Sequence, residues 1–145
     1  MNGPRGQVAV EVAVGAIVQL EDTLLLVRRG RDPGAGQWSI PGGRVGFGES
    51  LTEAVEREVL EETALRVRVE RFAGWVERIG DRPAPYHYVI LDFFATELEP
   101  RGTARAGDDA SDVQWVPLTS LADVDLVDGL ADFLASVGVG DGSPG

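Results

Sequence analysis

The chain has 145 residues, of which 43% are hydrophobic, and it carries a formal net charge of −11. This size predicts a single domain over residues 1–145, and the negative charge disfavours nucleic acids and anionic membranes as partners. The absence of cysteine excludes disulfides and thiolate sites, and without a signal-peptide or membrane-length apolar run we expect a cytoplasmic protein.

The first part of the chain predicts strands joined by turns. Val8–Leu20 alternates apolar residues and is rich in β-branched side chains, which is typical of a strand. A turn at Glu21–Thr23 then leads into a second strand, Leu24–Val27, so we expect an opening hairpin. A Gly- and Pro-rich loop at Gly30–Gly36 precedes a short strand at Trp38–Ile40.

The clearest helix signal follows. Ser50 and Glu53 have the spacing of a capping box, which predicts a helix from Ser50 to about Thr63. Three further strands are predicted from their apolar and β-branched content at Leu65–Glu77, Tyr86–Glu97 and Val113–Val116.

The end of the chain predicts a second helix and a mobile tail. Asp125 is the expected helix cap, and the apolar positions that follow have helical spacing: Leu126, Leu130, Phe133 and Leu134. We expect residues 138–145 to be mobile. Because strands and helices interleave without a regular βαβ rhythm, the sequence predicts an α+β fold with a mixed sheet between helices.

Three glutamates of the first helix predict a cation site. At about 100° per residue, Glu58, Glu61 and Glu62 lie within an arc of roughly 100° on one helix face. Their mutual repulsion disfavours this arrangement, and Arg57 alone cannot neutralise it. Clustered oxygen ligands suit Mg²⁺ or Mn²⁺. The alternative from charge alone is an acidic face in solvent.

Six residues stand at fixed spacing in and before this helix: Gly43, Glu49, Arg57, Glu58, Glu61 and Glu62. At these six positions the segment resembles the Nudix box, a match expected by accident on the order of once in ten million windows. The approach Trp38–Gly43 is also similar to that of the family, and the order of elements is similar over nearly the whole chain. The resemblance implies a Nudix-type α/β/α sandwich and hydrolysis of a diphosphate linkage.

At one position the chain departs from the family pattern. The box carries glycine where this chain has Ala64, at the end of the helix. Alanine in a left-handed conformation costs roughly 1 kcal/mol. We therefore expect Ala64 either to remain right-handed or to accept strain.

The resemblance also implies roles for the box residues. Glu58, Glu61 and Glu62, with the Gly43 carbonyl, become the Mg²⁺ ligands, and Mn²⁺ is a substitute. Glu58 is also a candidate base. Arg57 orients the glutamates, and Glu49 supports the turn through Arg57 or the loop.

Many family members supply another acid from a loop outside the box. Asp108, Asp109 and Asp112 lie where that acid is expected. The residues alone do not distinguish the three, nor do they exclude a solvated turn, and Asp109 is the one assigned to the metal.

Substrate contacts are predicted from a basic cluster and a single histidine. A basic cluster could bind terminal phosphates or stack on a base, although solvated arginines are the equal alternative; it comprises Arg28, Arg29, Arg31 and Arg44. Arg28 and Arg44 are the members assigned to the substrate. His87 is expected to pack or to line the substrate site rather than to bind metal.

The run Tyr86–Phe93, with Gly107-Asp108-Asp109 before Trp115, is similar to family members that hydrolyse ADP-ribose. We therefore expect ADP-ribose or a related nucleoside diphosphate derivative first, and ordinary or oxidised nucleoside triphosphates second. A non-catalytic nucleotide sensor is the third alternative. Family members are frequently homodimers, and the opening hairpin offers an edge for such pairing.

Overall fold

The computed structural model describes residues 9–99, 104–107 and 110–140, and this part contains seven β-strands, two α-helices and one 3₁₀ helix. The strands are β1 (Glu11–Leu20), β2 (Thr23–Arg29), β3 (Trp38–Ser39), β4 (Gly42–Arg44), β5 (Val67–Gly80), β6 (Tyr86–Glu97) and β7 (Ala110–Pro117). The helices are α1 (Leu51–Thr63), α2 (Leu130–Ser136) and the 3₁₀ helix (Leu118–Asp123). Neither α-helix of the described part has the length and apolar character needed to cross a membrane.

The sheet is mixed, as predicted. Five strands follow one another in the order β3-β2-β1-β6-β5, while β4 pairs with β1 and β7 pairs with β2. β1 runs parallel to β6 along most of its length and antiparallel to β4. The sequence analysis identified every strand except β4, whose three residues are too few to show a period of two.

The opening hairpin forms only at its turn. β1 and β2 pair at Gln19–Leu24 and Leu20–Thr23, and beyond this point β1 pairs with β4 and β6 while β2 pairs with β3 and β7. Both strands therefore have neighbours on each side. The expectation that this hairpin offers a free edge for dimerisation was wrong, because long-range partners cover it.

The capping box at the start of α1 is confirmed. The Ser50 hydroxyl accepts a hydrogen bond from the Glu53 amide (3.1 Å), and the Glu53 carboxylate accepts one from the Ser50 amide (2.9 Å). The helix ends at Ala64, which is left-handed at φ 65° and ψ 12° and donates its amide to Leu60 (2.9 Å). Of the two alternatives for Ala64, the strained one is the one observed.

The two faces of the sheet are buried by different helices. On the α1 side the core includes Val14, Ala16, Val18, Leu25, Ala54, Val55 and Val59. On the α2 side it includes Ile17, Leu24, Leu26, Val116, Leu130 and Leu134. Because neighbouring strand residues point to opposite faces, β1 and β2 each supply side chains to both cores. The result is the predicted α/β/α sandwich.

The prediction for the last helix was wrong at its start. α2 begins at Leu130 after Gly129, rather than at Asp125. The Asp125 carbonyl accepts the Trp38 amide (2.8 Å), and Leu126 forms an isolated bridge with Trp38, so tertiary pairing holds this segment extended. The sequence analysis also missed the 3₁₀ helix.

The predicted mobile tail lies partly within the described residues. Val139 is buried in the core on the α2 side, and its amide donates to Leu134 (2.8 Å). Residues 141–145 lie outside the described residues. The mobility of residues 138–145 stays a prediction.

Candidate active site

Two glycines of β4 contact side chains of α1. The Gly42 amide donates a hydrogen bond to a carboxylate oxygen of Glu62 (2.9 Å). A Cβ at Gly43 would overlap the Glu58 carboxylate. Glycine at position 43 therefore lets the Glu58 carboxylate lie directly against the backbone of β4, whereas a Cβ at Gly42 would overlap the Val14 carbonyl of β1.

Arg57 connects the glutamates of the box. Its guanidinium holds Glu49 through two hydrogen bonds (2.6 and 3.0 Å) and contacts Glu58 (3.0 Å) and Glu61 (3.1 Å). It also donates to the Arg44 carbonyl (3.0 Å). The N–H groups of a guanidinium are fixed in one plane, so they restrict the positions of the oxygen atoms that accept from them. Arg57 of α1 therefore connects this helix to the segment between β4 and α1, which contains Glu49.

The charges of this network shift the pKa values of its members. The hydrogen bond from Arg57, followed by the Gly46 amide, lowers the pKa of Glu49 to about 2. The hydrogen bond to Glu49 in turn raises the pKa of Arg57. Glu49 is thus ionised throughout the physiological pH range, and its charge strengthens the two hydrogen bonds that it accepts from Arg57.

A cleft of about 660 Å³ opens on the α2 side of the sheet, and Glu58 and Glu62 form part of its lining. Glu61 is not part of that lining; its side chain is 41% exposed and is bonded to Arg57. The cleft has the size of pockets that bind small organic ligands. Two of the three predicted carboxylates therefore face a space that can hold a nucleotide.

The oxygen atoms at this wall fit a hard divalent cation. Within the described residues, no group of three or more histidine, aspartate or glutamate side chains is gathered closely enough to hold a metal ion. Mg²⁺, however, retains water and is commonly bound by one or two carboxylates together with substrate phosphates. Glu58, Glu62 and the nearby Gly43 carbonyl are donors of that kind.

The arginines and the histidine predicted to bind substrate occupy different surroundings. Arg44 lines the cleft and pairs with Glu11 (2.9 Å), a hydrogen bond that raises the pKa of Arg44. Arg28 lies outside the lining, where it donates to Ser111 (2.9 Å). His87 also lies outside and contacts Glu77 through Nε2 (2.6 Å). Arg29 and Arg31, the remaining members of the predicted cluster, line the cleft, and Arg78 of β5 lines it as well.

The acids outside the box give no assignment. Asp108 and Asp109, the latter predicted as a metal ligand, lie outside the described residues. Asp112 is described; its carboxylate accepts the Val113 amide (2.8 Å), and it does not line the cleft. Ala110, the first described residue after this pair, does line the cleft.

Asp92 is a cleft residue that the sequence analysis missed. It is only 2% exposed, yet it lines the cleft, and its Oδ1 has no hydrogen-bond partner among the described residues. Burial raises the pKa of Asp92 to about 7. The available signal was an acid inside an otherwise apolar strand, where a charge is disfavoured unless it has a function.

Comparison with known proteins identifies the family. Residues 10–137 match the sequence model of the NUDIX domain. The chain belongs to the Nudix hydrolase family. It is 36% identical over 110 residues to an ADP-ribose pyrophosphatase of Methanocaldococcus jannaschii, covering 76% of this chain and 63% of that protein, which is somewhat less than two thirds of its length.

Two further relatives support the same family. The Nudix chain is 38% identical over 117 residues to a putative 8-oxo-dGTP diphosphatase 2 of Mycobacterium tuberculosis, covering 80% of this chain and 79% of that protein. The fold resembles the crystal structure of a MutT Nudix hydrolase from Burkholderia pseudomallei, with a TM-score of 0.73 and 26% identity. That alignment covers 89% of this chain and 98% of the other.

Proposed function

We propose that this Nudix protein hydrolyses a diphosphate linkage in a nucleoside diphosphate derivative, with ADP-ribose or a related nucleotide sugar as its first substrate class. The observation that carries the proposal is the position of Glu58 and Glu62 on the wall of a cleft of nucleotide size. In this reaction water attacks one phosphorus atom and the bridging oxygen leaves with the other phosphate.

The box residues would bind the cation that this chemistry uses. Glu58, Glu62 and the Gly43 carbonyl would hold Mg²⁺, with Mn²⁺ as a substitute, and the sequence adds Glu61 and Asp109 as predicted ligands. When bound, the cation supplies positive charge that stabilises the diphosphate and the departing oxygen.

The protein's own side chains position the reactants. Arg57 holds Glu58 and Glu61 through hydrogen bonds, and it is itself held by Glu49. Glu58 is the proposed base, because its carboxylate lies in the cleft beside Gly43, where it can accept a proton from water. Arg57 and Glu49 act as positioning residues.

The cleft provides cationic side chains for an anionic ligand even though the whole chain is strongly acidic. Arg29, Arg31, Arg44 and Arg78 all line it. Guanidinium groups bind phosphate oxygens in paired hydrogen bonds. Arg28 and His87 lie outside this lining, so of the predicted basic cluster we retain Arg29, Arg31 and Arg44 as substrate contacts.

The relatives support two substrate classes. The archaeal relative is named an ADP-ribose pyrophosphatase, which favours the first proposal. The mycobacterial relative is named for 8-oxo-dGTP, which makes nucleoside triphosphates the second candidate. A non-catalytic sensor is disfavoured because all box carboxylates are present.

A hydrolysis screen tests these proposals. ADP-ribose, other nucleotide sugars, dinucleotides and nucleoside triphosphates are each incubated with the protein in Mg²⁺, in Mn²⁺ and with chelator. We expect turnover of ADP-ribose that requires a divalent cation. A preference of at least about tenfold for triphosphates would instead select the second class, and nucleotide binding without any turnover would identify a sensor.

Variants connect that activity to the cleft. Glu58→Gln and Glu62→Gln are each expected to lower kcat/KM by about 100-fold or more, because both carboxylates line the site. Glu70→Gln is the matched control, since Glu70 lies on β5 and pairs with Arg68 outside the cleft. Equal activity of all three variants would contradict the assignment.

From the sequence we also propose a cytoplasmic location.

A homodimer is a further proposal. β5 presents exposed apolar side chains that a second copy could cover, including Trp75 (61% exposed) and Ile79 (67% exposed). Light scattering of the purified protein measures the oligomeric state, and a monomeric mass at all concentrations would contradict the dimer.

A further inference from the structure

Asp92, Gly15 and Gly42 form one row across the adjacent strands β6, β1 and β4. Gly15 of β1 pairs with Gly42 of β4 on one side and with Asp92 of β6 on the other. Neighbouring strands are about 4.8 Å apart, so the backbones of Gly42 and Asp92 are about 10 Å apart. Glu62 accepts a hydrogen bond from the amide of Gly42, at the end of this row opposite Asp92.

The position of the Asp92 carboxylate depends on the glycine beside it. A Cβ at Gly15 would overlap Asp92 Oδ1 and would lie 3.1 Å from the Ile40 side chain. Gly15 therefore leaves space for the carboxylate at the floor of the cleft. A side chain at position 15 would displace Asp92 Oδ1 from its position in the cleft.

The environment of Asp92 requires a partner that the described residues do not provide. Oδ1 is buried and has no hydrogen-bond partner within the described part of the chain. Buried polar atoms without partners are costly, so native structures usually satisfy them with protein, water or ligand. Burial is the cause of the raised pKa of Asp92.

We propose that Asp92 is a specificity-determining residue whose side chain forms a hydrogen bond with an N–H or O–H group of the substrate's nucleoside. This inference rests on the proposed function, because that function places the diphosphate at the wall formed by Glu58 and Glu62. The nucleoside then extends along the row toward Asp92. Either the edge of the base or a ribose hydroxyl provides the donor.

Equilibrium binding of nucleoside monophosphates tests the proposal. AMP is titrated into the wild-type protein and the Asp92→Asn variant, both with Mg²⁺, and inorganic pyrophosphate is the probe that lacks a nucleoside. We expect the variant to bind AMP about 10-fold or more weakly and pyrophosphate equally well. Asp123→Asn, an identical change at an exposed site outside the cleft, is expected to match the wild type.

Analogues distinguish the two sources of the donor. Purine riboside monophosphate lacks the amino group of adenine, whereas 2′-deoxy-AMP and 3′-deoxy-AMP each lack one ribose hydroxyl. The analogue that lacks the relevant donor should bind wild type and Asp92→Asn equally, as in a double-mutant cycle. Should the variant not fold, the wild type alone decides: equal affinity for AMP and all three analogues would overturn the proposal.

The outcomes separate this inference from the proposed function. If the wild type hydrolyses nucleotide sugars but Asp92→Asn binds AMP and the analogues as the wild type does, the Asp92 inference fails alone. If the wild type neither binds nor hydrolyses nucleotides, the proposed function fails and the inference fails with it.

Discussion

Replacement of Asp92 by asparagine should change how stability depends on pH. Burial raises the pKa of this carboxyl from its ordinary value of 3.8 to about 7. The folded protein therefore binds the proton more tightly than the unfolded chain does. The resulting cost is absent below pH 3.8, grows as the pH rises, and is complete above about pH 7.

The size of the effect follows from that difference. Each pH unit between the two pKa values corresponds to about 1.4 kcal/mol, so the cost of ionising Asp92 reaches about 4 kcal/mol above pH 7. This is a large part of the 5–15 kcal/mol that typically stabilises a folded domain. Asparagine has nearly the same shape and does not ionise, so the variant should not show this loss.

Urea denaturation measures the free energy of unfolding of both proteins at pH 4.5, 6 and 8, with chelator present and without nucleotide. Relative to the wild type, Asp92→Asn should gain stability steadily from pH 4.5 to pH 8, by about 3–4 kcal/mol in total. All other groups titrate alike in both proteins, so the difference reports Asp92. Parallel pH curves would refute the argument that burial controls this carboxyl.

Three further changes test the box and its neighbours. Ala64→Gly should raise the free energy of unfolding by about 0.5–1 kcal/mol in urea denaturation, because Ala64 is left-handed; unchanged stability would mean that this conformation carries no strain. Gly43→Ala should abolish most hydrolysis while the protein remains folded by circular dichroism, because the added Cβ overlaps the Glu58 carboxylate; Gly140→Ala, where a Cβ meets no atom within 4 Å, is the control, and equal activity of both variants would contradict this reason. The lowered pKa of Glu49 stabilises the wild type above pH 4.5, and this stabilisation is lost as the pH falls toward 2; Glu49→Gln should lack that part of the acid sensitivity in thermal unfolding, and identical acid profiles would disprove it.

The fold was predictable from the sequence wherever neighbouring residues determine the structure. The start of α1 follows from Ser50 and Glu53, three residues apart, and the strands β1 and β6 follow from apolar and β-branched runs. The pattern from Gly43 to Glu62 also drew attention to α1, two of whose glutamates line the cleft. Each of these features depends on residues close together in the sequence, so the sequence pattern alone is enough to predict it.

Long-range contacts decided the remaining features. Asp125 has the character of a helix cap, but pairing with Trp38 holds it in an extended segment, and α2 begins at Leu130 instead. The hairpin strands separate beyond their turn, where β1 pairs with β4 and β2 pairs with β3 and β7. Local propensity is small compared with the pairing of a whole strand, so tertiary structure overrides it.

The candidate site shows the same division. By itself the sequence determined the glutamates of the box, since a helix places residues three and four apart on one face. Only the tertiary structure decided that Glu61 would lie outside the cleft lining, bonded to Arg57, and that Asp92 would join that lining across β1. The physical reason is that the pairing of β4, β1 and β6 brings Asp92 to the same cleft as Glu62, and strand pairing depends on residues far apart in the chain.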